Sequence, residues 1–141
     1  MSEIGWSLHP QLRNDTVPVG DLPLSRVLAM NDADFPWLLL VPRRAGVSEM
    51  IDLGPDEAAL MDEISVVSRA LKEETRCDKL NVAAIGNIVP QLHIHIVARR
   101  KDDPLWPRPV WGASAGRACE AAAMERFVNA IRDRLRLSPS L

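Results

Sequence analysis

The 141-residue sequence predicts an α+β domain in which helices pack on an antiparallel sheet. Three observations carry the prediction: apolar runs too short for helices, two stretches with apolar residues at helical spacing, and connections short enough to join antiparallel strands. Their order is strands, helix, strands, helix. The chain contains no internal repeat and is too short for two ordinary domains, so residues 1–141 are read as one domain, with the loop at 103–112 and a last helix at about 116–136 as its C-terminal extension.

Taken in order, residues 9–15 read as a short helical turn, stopped by breaks at Pro18 and Gly20, and residues 24–30 as a strand. The polar turn Asn31-Asp32-Ala33-Asp34 leads into Trp37-Leu38-Leu39-Leu40-Val41, an apolar run closed by Pro42 and read as a strand buried on both faces. Gly54 and Pro55 mark a helix start, where Asp56 and Glu57 suit the positive end of the helix dipole. Leu60, Ile64, Val67 and Leu71 share one face of that helix, and Asp62, Glu63, Arg69 and Lys72 are expected elsewhere. Residues 79–85 and 91–98 form the next strand pair, a hairpin turning around Gly86-Asn87 and Pro90. Beyond the Pro- and Trp-rich loop, Met124, Phe127, Val128, Ile131 and Leu135 return to helical spacing, with Ser138-Pro139 ending the element.

A composition 47% apolar and 26% charged suits a soluble globular chain. A formal net charge of -2 supplies no overall field for a nucleic-acid backbone, so no polymeric nucleic acid is expected as partner. No run reaches the length of a membrane span, and Met1-Ser2-Glu3-Ile4-Gly5-Trp6 lacks a basic region followed by an apolar one; the cytoplasm is the expected compartment and no membrane partner is expected. Cys77 and Cys119 are too few and too isolated for a disulfide framework or a zinc knuckle.

The chemistry is concentrated in Gln91-Leu92-His93-Ile94-His95-Ile96-Val97. A strand's period of two sets Gln91, His93 and His95 on one face and Leu92, Ile94 and Ile96 on the other. Two of the chain's three histidines thus share a polar strand face, and neutral imidazole has a lone pair able to attack phosphorus or to bind a metal ion. Three readings follow. The pair can be a covalent catalyst, a structural pair, or two ligands of a zinc or iron ion; the last needs a third ligand, and no acidic partner stands at a recognisable spacing.

This segment resembles the signature of the histidine triad (HIT) family, three histidines alternating with apolar residues, with Gln91, His93 and His95 in the three places. Gly86-Asn87-Ile88-Val89-Pro90 resembles the Gly-rich turn before the triad strand, and residues 28–32 with 37–42 resemble the ribose-binding strand and turn, so the likeness covers roughly residues 20 to 100. It implies a five-stranded antiparallel sheet with helices packed on it, usually paired into a homodimer, and hydrolysis or transfer of nucleotides at an α-phosphate. His93 corresponds to the histidine that forms a nucleotidyl-histidine intermediate and His95 to the one that helps place the phosphate. Asn31 or Asp32 would hold the ribose hydroxyls, and Asn81 and Asn87 would meet the substrate. No cofactor or metal is implied, although a divalent cation can arrive with a substrate polyphosphate.

Two departures stand out. Gln91 occupies the place of the first histidine, where an amide can donate a hydrogen bond but cannot carry a positive charge. Ile88 occupies a place where some members have a hydroxyl that serves the leaving group. Dinucleoside polyphosphates and nucleoside phosphoramidates are the leading substrate classes, the rivals being a nucleotide-binding or regulatory protein with little turnover and a metal-dependent hydrolase. Arg43-Arg44 and Arg99-Arg100-Lys101 read as solvated strand ends or as polyphosphate contacts. Trp106 and Trp111 read as packing residues or as platforms for a base.

Overall fold

A computed structural model describes residues 4–137. Five strands, β1 (Thr16–Asp21), β2 (Ser25–Met30), β3 (Trp37–Pro42), β4 (Lys79–Ala83) and β5 (Ile94–Arg99), form one sheet in the order β1-β2-β3-β5-β4. Every neighbouring pair is antiparallel. Three helices, α1 (Pro10–Asp15), α2 (Glu57–Thr75) and α3 (Ala121–Leu135), complete the α+β domain. The expected helix end at Ser138-Pro139 lies outside the described residues.

The sheet has two apolar faces, each with its own cover. Val27, Ala29, Leu38, Leu40, Ile94 and Ile96 point to the helix layer, where they meet Leu60, Val67 and Leu71 of α2 and Met124, Val128 and Ile131 of α3. Leu28, Trp37, Leu39, Val41 and Val97 point the other way, against Leu12 of α1, Phe35, Val89 and Val110. Alternation along β3 therefore feeds two cores, which is why all six of its residues are buried. Truncating a fully buried leucine such as Leu40 to alanine costs about 2–5 kcal/mol at such a site.

Three local expectations change. Thr16–Asp21, read as a broken stretch, is the edge strand β1. Pro18 is tolerated because an edge strand leaves one row of N–H groups unpaired, and the register shift between Pro18 and Gly20 absorbs the irregularity. Glu63, expected away from the apolar face of α2, is buried and accepts hydrogen bonds from the backbone N–H groups of Leu24 and Ser25 at 2.8 and 2.9 Å. Those two turn amides need an acceptor once covered, and only a side chain from the helix above can supply it. The third change is at strand ends: β4 stops at Ala83 and β5 begins at Ile94, so the hairpin loop is longer than expected.

A 3₁₀ turn, Met50–Asp56, precedes α2, and Gly54 within it has φ 57° and ψ −123°. A side chain is disfavoured there, so glycine permits the change of direction that drops α2 onto the sheet.

Candidate active site

A cleft of about 800 Å³ opens on the sheet face opposite α2 and α3. Its floor is His93, His95 and Trp37, and its walls come from the end of α1, the 30–32 turn, the 85–89 loop and residues 110–118. Four separate segments of chain thus converge on the two histidines.

His93 lies one residue before β5 and is 7% exposed, enough for one ring nitrogen to meet a ligand. Its Nδ1 lies 2.7 Å from the carbonyl oxygen of Gln91. A carbonyl only accepts, so Nδ1 carries the proton and Nε2 keeps its lone pair. His95 is on β5, opposite Leu39 of β3 and Ala83 of β4. Its Nδ1 accepts a hydrogen bond from the Trp37 indole Nε1–H at 3.1 Å. Burial first, and the neighbouring His93 second, hold the His95 imidazole down to about 4 from the ordinary 6.5. The two imidazoles are 4.8 Å apart between centroids, and Trp111 stands edge-on to His95 at 5.4 Å.

Gln91 has a different setting from the two histidines. Its Oε1 accepts from the His9 backbone N–H at 2.9 Å, and its Nε2 donates to the Ser7 carbonyl at 2.8 Å. The side chain clasps the N-terminal segment, and Gln91 is not among the residues lining the cleft. The physical reason is that Gln91 precedes the ladder, which starts at Ile94, so strand alternation does not dictate its direction.

Asp32 is buried at the cleft wall; its Oδ1 accepts from the Asp34 N–H at 2.9 Å and its Oδ2 accepts from the Ser114 hydroxyl. Asn31 also lines the cleft, with its side-chain oxygen accepting from Cys119 N–H at 2.8 Å. Asn87 lines the cleft as well, beside Gly86 and Ile88. Asn81 does not line it: this residue pairs with Val97, and its Oδ1 accepts from Arg99 Nη1 at 3.0 Å. The pull of a buried guanidinium on that oxygen accounts for its direction.

Three of the basic residues at the strand ends, Arg43, Arg44 and Arg99, are held in structure. Arg99 is 1% exposed, paired with Asp103 through Nε at 2.7 Å and Nη2 at 3.0 Å, with Phe35 and Trp106 against its guanidinium. Arg43 donates to the carbonyls of Leu22 and Pro23, and Arg44 to Asp56. None of the three lines the cleft. The loop tryptophans separate in the same way, Trp106 packing on Arg99 and Trp111 forming cleft wall.

Among the described residues no group of three or more His, Cys, Asp or Glu is placed to hold a metal ion, and no helix is long and apolar enough to cross a membrane. Cys77 and Cys119 are free thiols, the first inside the helix-side core and the second against it. Two contributors escaped the sequence reading: Trp37, whose apolar run masked its indole N–H, and Ser114, whose only signal was its place after the Trp-rich loop.

The HIT domain family matches residues 11–102. No match was found among curated proteins. A histidine triad protein of Bradyrhizobium japonicum is 58% identical and superposes with a TM-score of 0.89, covering 92% of this chain and 97% of its own. A second, from Sinorhizobium meliloti, is 40% identical with a TM-score of 0.91, covering 94% and 99%. A third, from Marinobacter aquaeolei, is 38% identical with a TM-score of 0.90, covering 94% and 98%. The five-stranded antiparallel sheet, the paired histidines and these likenesses agree: the chain belongs to the histidine triad family.

Proposed function

We propose that the protein cleaves a nucleotide at its α-phosphate through a nucleotidyl-His93 intermediate. The observation that carries this reading is the 2.7 Å contact between His93 Nδ1 and the Gln91 carbonyl, which leaves Nε2 as a lone-pair donor at the cleft floor. In the first step that lone pair forms a bond to phosphorus while the bond to the leaving group breaks and takes its electron pair outward. Water then attacks the same phosphorus, the N–P bond returns its pair to His93, and the nucleoside monophosphate departs.

Such transfers depend on positioning and on donors at the non-bridging oxygens. His95 supplies one donor beside the nucleophile. In this reading Asp32 faces the ribose hydroxyls, because a carboxylate at the cleft wall is the stronger acceptor and each of its oxygens keeps a lone pair beyond the one met by Asp34 N–H or the Ser114 hydroxyl. Asn87, which lines the cleft, meets the phosphate side of the substrate in the same reading. Ile88, 91% exposed on the same wall, offers no proton, so the leaving group takes its proton from solvent. That favours a polyphosphate, which departs as a stable anion, over an amine that must be protonated as it leaves. A divalent cation accompanying the polyphosphate fits this scheme as part of the substrate.

The clasp that Gln91 makes to Ser7 and His9 also suits a nucleotide-binding protein with little turnover, since it removes one donor from the phosphate site. One experiment separates the two readings. Rapid-quench mass spectrometry with a dinucleoside polyphosphate and a nucleoside phosphoramidate should find a nucleotide held on His93, and His93→Ala should abolish both the adduct and nearly all turnover. An adduct on another residue, or a rate lowered only about tenfold (1.4 kcal/mol), would refute the nucleophile assignment.

A homodimer is proposed with it. The outer edge of β4 is unpaired in the single chain and carries exposed Val82, with exposed Ile85 just beyond, the sort of edge that a second copy would cover.

A further inference from the structure

Trp37 sits two residues before Leu39, the register partner of His95, so its side chain reaches His95 diagonally across the β3–β5 pair. Its indole is 7% exposed, tilted 55° to the imidazole with centroids 5.7 Å apart, and its Nε1–H points at His95 Nδ1. An indole N–H can only donate, and it neither ionises nor switches roles near neutral pH. The nitrogen it meets must therefore accept, which leaves the single proton of a neutral imidazole on Nε2.

We propose that Trp37 is a positioning residue of this site: it fixes His95 as the neutral Nε2–H tautomer, so that His95 meets the bound phosphate as an uncharged hydrogen-bond donor rather than as an imidazolium. The assignment rests on the proposed phosphate chemistry for its purpose but not for its geometry. An imidazolium would place a proton on Nδ1 facing the indole N–H, two donors with no acceptor between them. The surroundings reinforce this choice. Trp111 packs edge-on to both Trp37 and His95, and the register neighbours Leu39 and Ala83 are apolar. His93 is the titratable group next to His95, and the acidic side chains lining the same cleft are Asp15 and Asp32. His93, in contrast, is set by a carbonyl and so has its proton on Nδ1. The two adjacent histidines are thereby held in opposite tautomers, one presenting a lone pair and the other a proton.

The test uses the full chain labelled with ¹⁵N at histidine. Long-range ¹H–¹⁵N spectra should show His95 as a single Nε2–H tautomer that stays uncharged at pH 5.5, where a free histidine would be mostly charged. Trp37→Phe keeps an aromatic ring without the donor; His95 should then populate both tautomers and bind protons at higher pH than in the parent. Trp111→Phe removes an indole N–H that has no hydrogen-bond partner among the described residues, and should leave the tautomer unchanged. A parent His95 protonated at Nδ1, or charged at pH 5.5, overturns the proposal without reference to any variant. So does a folded Trp37→Phe protein in which His95 keeps the single Nε2–H tautomer and stays uncharged at pH 5.5. If the parent shows the expected tautomer yet forms no adduct at His93, the cleavage reaction fails while the role of Trp37 in setting His95 stands.

Discussion

Replacing Gln91 by histidine restores the residue type of the family signature, and the structure predicts that it impairs rather than improves the protein. The amide orientation is fixed by its partners, because only Oε1 can accept from the His9 N–H and only Nε2 can donate to the Ser7 carbonyl. An imidazole cannot reproduce that pair of contacts from one ring position. Each hydrogen bond contributes about 1 kcal/mol, so Gln91→His should lower the unfolding free energy by about 2 kcal/mol, with Gln91→Ala giving a similar loss. The contact that orients His93 is made by the backbone carbonyl of residue 91, which every substitution retains. Turnover in the folded variant should therefore stay within about tenfold of the parent, equivalent to 1.4 kcal/mol in the barrier. Urea denaturation would give the stability, and AMP release from a dinucleoside polyphosphate the rate. A Gln91→His protein as stable as the parent and activated well beyond tenfold would refute the clasp and show that position 91 faces the phosphate.

Other expectations follow from the same geometry. Asp32→Ala removes the carboxylate at the cleft wall together with its Ser114 contact, and AMP binding should weaken tenfold or more, as for loss of a charged hydrogen bond; an unchanged dissociation constant would move the ribose elsewhere. Asp103 is held down to about 2 from the ordinary 3.8, chiefly by its hydrogen bonds from Arg99. A carboxyl depressed in the folded state gives its full stability above pH ~4 and loses it as pH falls toward 2, so about 2 kcal/mol should vanish in that window and be missing from the pH dependence of Asp103→Asn. That variant also leaves Arg99 buried without its carboxylate and should cost about 3–5 kcal/mol at neutral pH, read by chemical denaturation. Light scattering at micromolar concentration should report a dimer, and introducing a charge by Val82→Glu on the β4 edge should yield monomers.

Much of the fold was legible because binary pattern and length decide it. The apolar run of β3, the helical spacing of α2 and α3 and the alternation around His93 and His95 each leave a local signature, and β3 and α2 stand where theirs predict, whereas α3 starts at Ala121 rather than near 116 and β5 only at Ile94, one residue after His93. What escaped depends on partners distant in sequence. Pro18 and Gly20 mark breaks unless the strand is known to lie at an edge, and an edge is a property of the assembled sheet. Glu63 follows Leu60 by one helical turn, but its burial is explained only by the amides of Leu24 and Ser25 arriving beneath it. Asn81 and Gln91 have residue types suited to a phosphate site, yet both amides are engaged elsewhere, by Arg99 and by the N-terminal segment. Trp37 reads as one more apolar residue until the β3–β5 register brings its N–H to His95, 58 positions along the chain.

The C-terminal rim of the cleft follows a further logic. The HIT domain match ends at residue 102, yet Val110, Trp111 and Ser114 lie beyond it and line the cleft. This rim is tied to the 31–34 turn at several points: Ser114 hydroxyl to Asp32, Arg117 to Asp34 at 2.6 Å, Ala33 N–H to the Arg117 carbonyl at 2.7 Å and Cys119 N–H to Asn31. The contacts are individually modest, and Arg117 is largely exposed, so the ion pair itself adds little. Their joint effect is to join the 31–34 turn and the 110–119 segment into one wall. On one side that wall is anchored by Val110 in the second core; on the other it continues into α3, whose Met124, Val128 and Ile131 belong to the first. The C-terminal extension is therefore part of the fold as well as of the cleft. Removing it would strip one helix from the helix layer and leave Asp32 without its Ser114 partner, so changes in substrate preference are better sought at Trp111 and Ser114, on the wall's inner surface, than by shortening the chain.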